Sequence, residues 1–265
     1  MDELTIAVCV KVVPKPEEIR VDKETNRLER EDARSEINPP DMNALEMALS
    51  LKDNHGGVVN LISMGPPSFE EYLRVGLAMG ADHIYLLSDR EFGGADTLAT
   101  TYTLAKGIEK SGGADLIFCG EESSDGATGQ VPPGIAEWMD IPQITMLQEI
   151  ELDPEKRLIR GKREIKAGYE ILETSLPAVV SVAVASNEPR FMDYGIKEWA
   201  WEPERLTIWS KTDLDVDEEL IGVPGSPTVV SGLGEAETRE RKKEFLEGKP
   251  EEVAAKLVEV LKHAL

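Results

Sequence analysis

Apolar positions along the chain alternate between two spacings. Runs with few or no polar breaks, Thr5–Val10, Val58–Ser63, His83–Leu87 and Leu116–Cys119, suit strands buried on both faces of a parallel sheet. Between them, apolar residues recur at helical spacing: Leu45, Ala48 and Leu49, then Thr101, Leu104, Ala105 and Ile108, with a further helix predicted from about Val131 to Met139. The punctuation agrees. Pro39 and Pro40 force an extended entry, Asp41 can cap the helix that follows, and Gly56-Gly57 stop it. Ser68 with Glu71 reads as a capping box for a helix ending near Gly80, and Asp96 as the N-cap of the next. Strands and helices of this length in alternation predict an α/β fold, a parallel sheet covered by helices with right-handed connections. Ligands in such folds bind outside the carboxyl ends of the strands. Those ends carry Val10-Lys11, Ser63-Met64, Ser88-Asp89 and Gly120, and the helix start at Gly94–Thr97 reaches the same crevice.

The chain is organised around Asp115–Gln130, D-L-I-F-C-G-E-E-S-S-D-G-A-T-G-Q. Gly120 ends a buried strand, and Asp125, Gly126, Ala127, Thr128 and Gly129 follow before the next helix. A loop of small residues there exposes backbone N–H groups on which a phosphate can sit. The same pattern also suits an ordinary strand-to-helix connection, since neither a P-loop Lys-Ser/Thr pair nor a G-x-G-x-x-G spacing is present. Ser111-Gly112-Gly113-Ala114-Asp115 imitates a pyrophosphate-gripping motif. It ends a helix rather than opening one, so a glycine C-cap is the better reading.

Past Met139 the spacing changes. Ile144–Leu152, the alternating stretch Leu158–Ile165, Tyr169–Leu172 and Pro177–Val184 predict antiparallel strands closing on one more buried strand. A hairpin excursion is expected around Ile19–Leu28. From Pro203 the chain turns polar, with no clear strand, and ends in an amphipathic helix, Pro250–Leu265, carrying Val253, Leu257 and Leu261. Residues 1–202 are thus expected to form one α/β domain and residues 203–265 an extended arm. The arm's terminal stripe must be buried on its own domain or on a partner.

Composition narrows the function. The 265 residues are 41% hydrophobic and 30% charged, ample for a real core. The net charge of −22 argues against nucleic acid or an anionic membrane as a partner. The acidic start M-D-E-L-T-I lacks a signal-peptide pattern, and a cytoplasmic location is expected. Cys9 and Cys119 lie in apolar runs and read as packed thiols, and the three histidines are scattered without metal-ligand spacing.

Several stretches together resemble the beta subunit of electron transfer flavoproteins, across residues 1–230. They are Val10-Lys11, Ile37–Asp41 (I-N-P-P-D), Ser63–Pro66 (S-M-G-P), Leu77–Asp82 (L-A-M-G-A-D), Asp96–Thr100, the Gly120–Gln130 loop, Gly168–Val180 and Asn187–Arg190 (N-E-P-R). The resemblance implies a Rossmann-like three-layer adenine-nucleotide-binding fold, with an antiparallel extension and the C-terminal arm. It also implies pairing with an alpha subunit that holds an electron-carrying FAD. In one branch of the family the beta subunit holds AMP as a structural ligand. In the electron-bifurcating branch a second FAD takes that place, accepts a hydride from NADH and splits the electron pair. Phe92–Thr100 and Asp125–Gln130 look like the bifurcating versions of the two loops.

Carried over by position, the cofactor contacts would be Cys9 near the adenine, Asn38 and Asp41 on one side and Met64 on the next strand end. Asp96 and Thr97 would stand at a helix start, and Gly120 with Asp125, Gly126, Ala127, Thr128, Gly129 and Gln130 would wrap the phosphates. Local roles coexist with these: Asn38 as turn former, Asp96 and Thr128 as caps. Arg190, Phe191 and Tyr194 fall on the family's partner-recognition loop. The expected partners are the alpha subunit, a dehydrogenase or quinone-reducing protein, and ferredoxin or flavodoxin as low-potential acceptor. Two departures stand out. Glu121-Glu122 occupy a place where relatives often carry a basic residue, and acids there disfavour a pyrophosphate unless they face solvent. Phe191–Ile196 also lacks the Leu-Pro of many relatives. The alternatives are an AMP-holding beta subunit of a simple electron carrier and a nucleotide-sensing regulatory protein of similar fold.

Overall fold

The computed structural model describes residues 3–15, 20–22, 27–29, 35–184, 186–229 and 245–264. The elements run β1 (Thr5–Cys9), β2 (Val12–Pro14), β3 (Arg20–Asp22), β4 (Arg27–Glu29), β5 (Ser35–Ile37), α1 (Pro39–His55), β6 (Val58–Met64), α2 (Glu70–Met79) and β7 (His83–Leu87). They continue with α3 (Thr97–Lys110), β8 (Leu116–Gly120), α4 (Val131–Met139), β9 (Gln143–Asp153), β10 (Leu158–Ile165), β11 (Gly168–Ser175) and β12 (Ala178–Val182). Short α5 (Lys197–Ala200), β13 (Leu206–Trp209), short α6 (Lys211–Leu214) and α7 (Pro250–Ala264) complete them.

The apolar runs do become the sheet centre. β8 and β12 are buried at every position, and Ile6, Val8, Leu61, Ile84 and Phe118 are fully inaccessible. Nine strands pair in the order β11-β10-β9-β12-β8-β1-β6-β7-β13. From β9 through β12 to β13 every neighbouring pair is parallel, while β10 lies antiparallel to both β9 and β11. α1 and α2 cover one face, over Ile6, Val8, Leu61 and Ile84, and α3 and α4 the other, over Ala7, Cys9, Ile62 and Ile117. The antiparallel extension is the β9–β10–β11 meander. The expected hairpin is present as β3 paired with β4.

The order of strands makes a topological switch. β1 leads through α1 to β6 on one side of it, whereas β8, its neighbour on the other side, leads into α4 on the opposite face. The carboxyl ends of β1 and β8 therefore open a crevice, the place where doubly wound sheets build ligand sites.

Three local expectations are corrected. Asp41 does not cap α1: Pro39 and Pro40, which lack N–H groups, fill the first two helical positions, and Asp41 turns its carboxylate to other partners. Ser68 and Glu71 form no capping box, because a 3-10 turn at Pro67–Phe69 runs into α2 and sets its entry without a side-chain cap. The stretch after Pro203 is not strand-free. β13 adds a parallel edge strand to β7, pairing Leu206 with Ile84 and Trp209 with Leu87, and Trp209 stacks on Tyr85 at 4.6 Å between ring centroids.

The chain divides into two compact units, Met1–Ser231 and Gly232–Leu265. In the second, α7 leaves Leu257, Val258, Val260 and Leu261 about half exposed. Among the described residues no helix is long and apolar enough to cross a membrane.

Candidate nucleotide site

The crevice floor is tied by one carboxylate. Asp41 is buried on α1 and accepts the backbone N–H of Lys11, just beyond β1, at 2.7 Å and that of Gly120, at the end of β8, at 3.1 Å. Two paired strand ends, whose following helices lie on opposite faces, thus share one acceptor. Burial pushes the Asp41 carboxyl up to about 7, against the opposing pull of the Lys11 N–H, the Asn38 side chain, the Gly120 N–H and the Lys11 charge. A side chain at Gly120 would run into Pro40 and Asp41, with its Cβ only 2.7 Å from the Pro40 carbonyl carbon, so glycine is required for this approach.

Asn38 is freed by the same prolines. With no N–H on the first two residues of α1 to cap, its buried side chain reaches the loop after β8. Its Nδ2 donates to the Glu122 carbonyl at 2.9 Å and its Oδ1 accepts the Ser124 N–H at 3.0 Å. Lys11 reaches the same loop: its Nζ lies 2.5 Å from Asp125 and 3.4 Å from the Ser123 hydroxyl. Burial raises the Asp125 pKa, but the Lys11 hydrogen bond and charge outweigh it and hold the carboxyl below its ordinary value.

The second half of the loop faces α3. Ala127 and Gly129 take left-handed conformations, φ 47° and 61°, and the Gly126 and Ala127 N–H groups close a turn on the Ser123 carbonyl. The N–H groups of Thr128 and Gly129 have no hydrogen-bond partner among the described residues. α4 cannot add a full ring of donors, because Pro132 and Pro133 follow Val131. Its N-terminus offers the Val131 N–H and its dipole only. The Thr97 hydroxyl donates to the Gln130 side chain at 3.0 Å, so the starts of α3 and α4 meet. An anion is therefore suited by the loop N–H groups with the Val131 N–H beside them, and these groups fit a nucleotide phosphate.

The residues singled out from sequence divide by what they touch. Asn38, Asp41, Gly120 and Asp125 come together with Lys11, and Thr97 comes together with Gln130. Cys9 and Met64 line the α3/α4 side of the sheet. The hydrogen bond with Cys9, reinforced by burial, raises the Cys119 pKa well above its ordinary value. Asp96 is occupied internally: Oδ1 accepts the Leu98 and Ala99 N–H groups as the expected N-cap, while Oδ2 accepts the Thr228 N–H and hydroxyl. Lys11, Thr228 and Ser226, which accepts the Asp96 N–H at 2.8 Å, were not singled out as site residues. A lysine closing a buried strand, V-C-V-K, was a readable signal; Thr228 sits in a polar stretch that carried none.

The 187–196 segment is anchored rather than loose. The Arg190 guanidinium pairs with Glu46 at 2.9 Å and with Asp53 at 2.8 Å, both on α1, and is thereby committed to holding the segment. Asn187 and Asn43 exchange hydrogen bonds beside it. Asp193 donates its N–H to the Ala78 carbonyl at 2.7 Å. Between these anchors Phe191 and Tyr194 stand 96% and 73% exposed.

A sheet wound to both sides of β1, with a small-residue loop across its switch point, defines the doubly wound α/β class that places ligands at this crevice. The Electron transfer flavoprotein domain matches residues 25–203. The electron transfer flavoprotein subunit beta of Clostridium acetobutylicum is 43% identical over 259 residues, covering 98% of each chain. The caffeyl-CoA reductase-Etf complex subunit CarD of Acetobacterium woodii is 42% identical over 228 residues, 86% of each, and the protein FixA of Azotobacter vinelandii 42% over 245 residues, 91% of this chain and 87% of its own. The chain belongs to the electron transfer flavoprotein family, among its beta subunits.

Proposed function

We propose that this chain is the beta subunit of a heterodimeric electron transfer flavoprotein that binds FAD in the β1/β8 crevice and takes part in NADH-dependent electron bifurcation. The observation that carries the reading is the meeting of the two small-residue loops. Phe92–Thr100 and Asp125–Gln130 join through Thr97 and Gln130, beside the Thr128 and Gly129 N–H groups, which have no partner among the described residues. Similarity over 86% of each chain to a subunit of a caffeyl-CoA reductase-Etf complex supports it.

A flavin held there would supply hydride acceptance and one-electron transfer. The chain's own part is positioning. Asp41 fixes the two strand ends, Asn38 holds the loop, and Thr128 and Gly129 offer N–H groups to phosphate. Phe191 and Tyr194 form the contact for an electron-accepting partner, and the unit from Gly232, with its apolar α7 stripe, packs on the alpha subunit.

Gly129→Val tests the cofactor assignment. A β-branched residue at φ 61° is strained and would distort the turn that presents the Thr128 and Gly129 N–H groups. The assembled complex is expected to lose one flavin and NADH-driven reduction while keeping the alpha-subunit flavin. Gly112→Val, at φ 106° beyond the end of α3, should lower stability without selective flavin loss. Equal flavin loss in both variants, or none in the first, contradicts the reading.

A further inference from the structure

The crevice poses an electrostatic problem. The chain carries a net charge of −22, and Glu121 and Glu122 lie at the start of the loop proposed to hold phosphate. Loop N–H groups alone must offset both. Lys11 stands at this place: it is the first residue past Val10 at the switch point, and its backbone N–H is fixed on buried Asp41. Its ammonium reaches across to Asp125 and Ser123, in the first half of the loop. The lysine side chain is 47% exposed and that of Asp125 30%, so the pair contributes little to stability and its charge is available to a competing anion.

Resting on the nucleotide reading of the crevice, we propose that Lys11 is a phosphate-binding residue: its ammonium exchanges the Asp125 carboxylate for a phosphate oxygen of the bound nucleotide. Both partners are anionic oxygens accepting from one flexible four-carbon arm, so the exchange needs rotamer changes rather than backbone movement. A phosphate offers more negative charge than a carboxylate and becomes the better acceptor once the loop N–H groups hold it. Asp125, lowered in pKa by this same lysine, keeps the ammonium over the loop and competes with the ligand for it.

The test deletes the charge from both sides of the contact. AMP and adenosine are titrated calorimetrically into the full chain at low and high salt, for wild type, Lys11→Gln, Lys11→Arg and Asp125→Asn. AMP serves as probe because it shares the adenosine and phosphate of the larger dinucleotide. Lys11→Gln is expected to weaken AMP by roughly tenfold or more, the size of one lost charge-assisted hydrogen bond, and to flatten its salt dependence. Adenosine affinity should stay within about twofold, since no phosphate contact is lost. Lys11→Arg should retain most of the AMP affinity, and Asp125→Asn should tighten it by removing the competing anion. Equal loss of AMP and adenosine in Lys11→Gln makes the lysine a brace for the loop and overturns the proposal, as does weaker AMP binding by Asp125→Asn. AMP binding that Lys11→Gln leaves unchanged overturns the lysine's role but leaves the crevice assignment standing. If the wild-type chain binds neither compound, the crevice assignment itself fails and the proposal falls with it.

Discussion

At the scale of single residues, Asp41 decides how the crevice is held. A buried carboxylate accepting two backbone N–H groups braces neighbouring parallel strand ends whose connections leave to opposite faces, at the cost of burying a titratable group. Its folded pKa is raised to about 7, against 3.8 for a solvated carboxyl. The folded chain therefore binds the extra proton between these values, and stability falls as pH rises through that window, by at most about 1.4 kcal/mol per pH unit. Asp41→Asn should flatten the pH dependence of the denaturation midpoint between roughly pH 4 and 7; an unchanged slope would assign that dependence elsewhere. The sequence placed Asp41 in the right neighbourhood but in the wrong role. I-N-P-P-D reads as a cap because proline and aspartate so often start helices, yet two prolines leave nothing at the first positions to cap. The carboxylate's partners, 30 and 79 residues away, cannot be read from local spacing.

At the scale of elements, strands buried on both faces were legible and half-buried ones less so. Leu116–Gly120 announces itself because every position is apolar or small. Leu206–Trp209 does not, since an edge strand of four residues needs only intermediate burial and lies in polar surroundings. The 187–196 segment reads differently again. Its anchors, Asn187 on Asn43 and Arg190 on Glu46, explain why N-E-P-R behaves as a unit, and they leave Phe191 and Tyr194 without cover. Exposed aromatics on a rigidly pinned loop are the kind of anchor that dominates interfaces. Tyr194→Ala is expected to slow electron transfer to a dehydrogenase by about tenfold, with flavin content and thermal midpoint unchanged. Unaltered transfer kinetics would remove the loop from partner recognition.

At the scale of the whole molecule, the alternation of apolar runs and helical stripes was enough to predict a parallel sheet covered by helices, but not the strand order. It is that order, with β1 between β8 and β6, that locates the crevice. What alternation could not convey is which ligand fills it. Adenosine and phosphate are common to AMP and FAD, and the β1/β8 switch point with its loop N–H groups suits the part they share. The central claim, a beta subunit that carries its own flavin, is therefore tested most directly by counting nucleotides in the purified alpha–beta complex, released by denaturation and separated by chromatography. The account predicts two FAD and no AMP per complex, with the second FAD lost from the Gly129→Val variant. One FAD and one AMP per complex, with no flavin reduction on adding NADH, would contradict it.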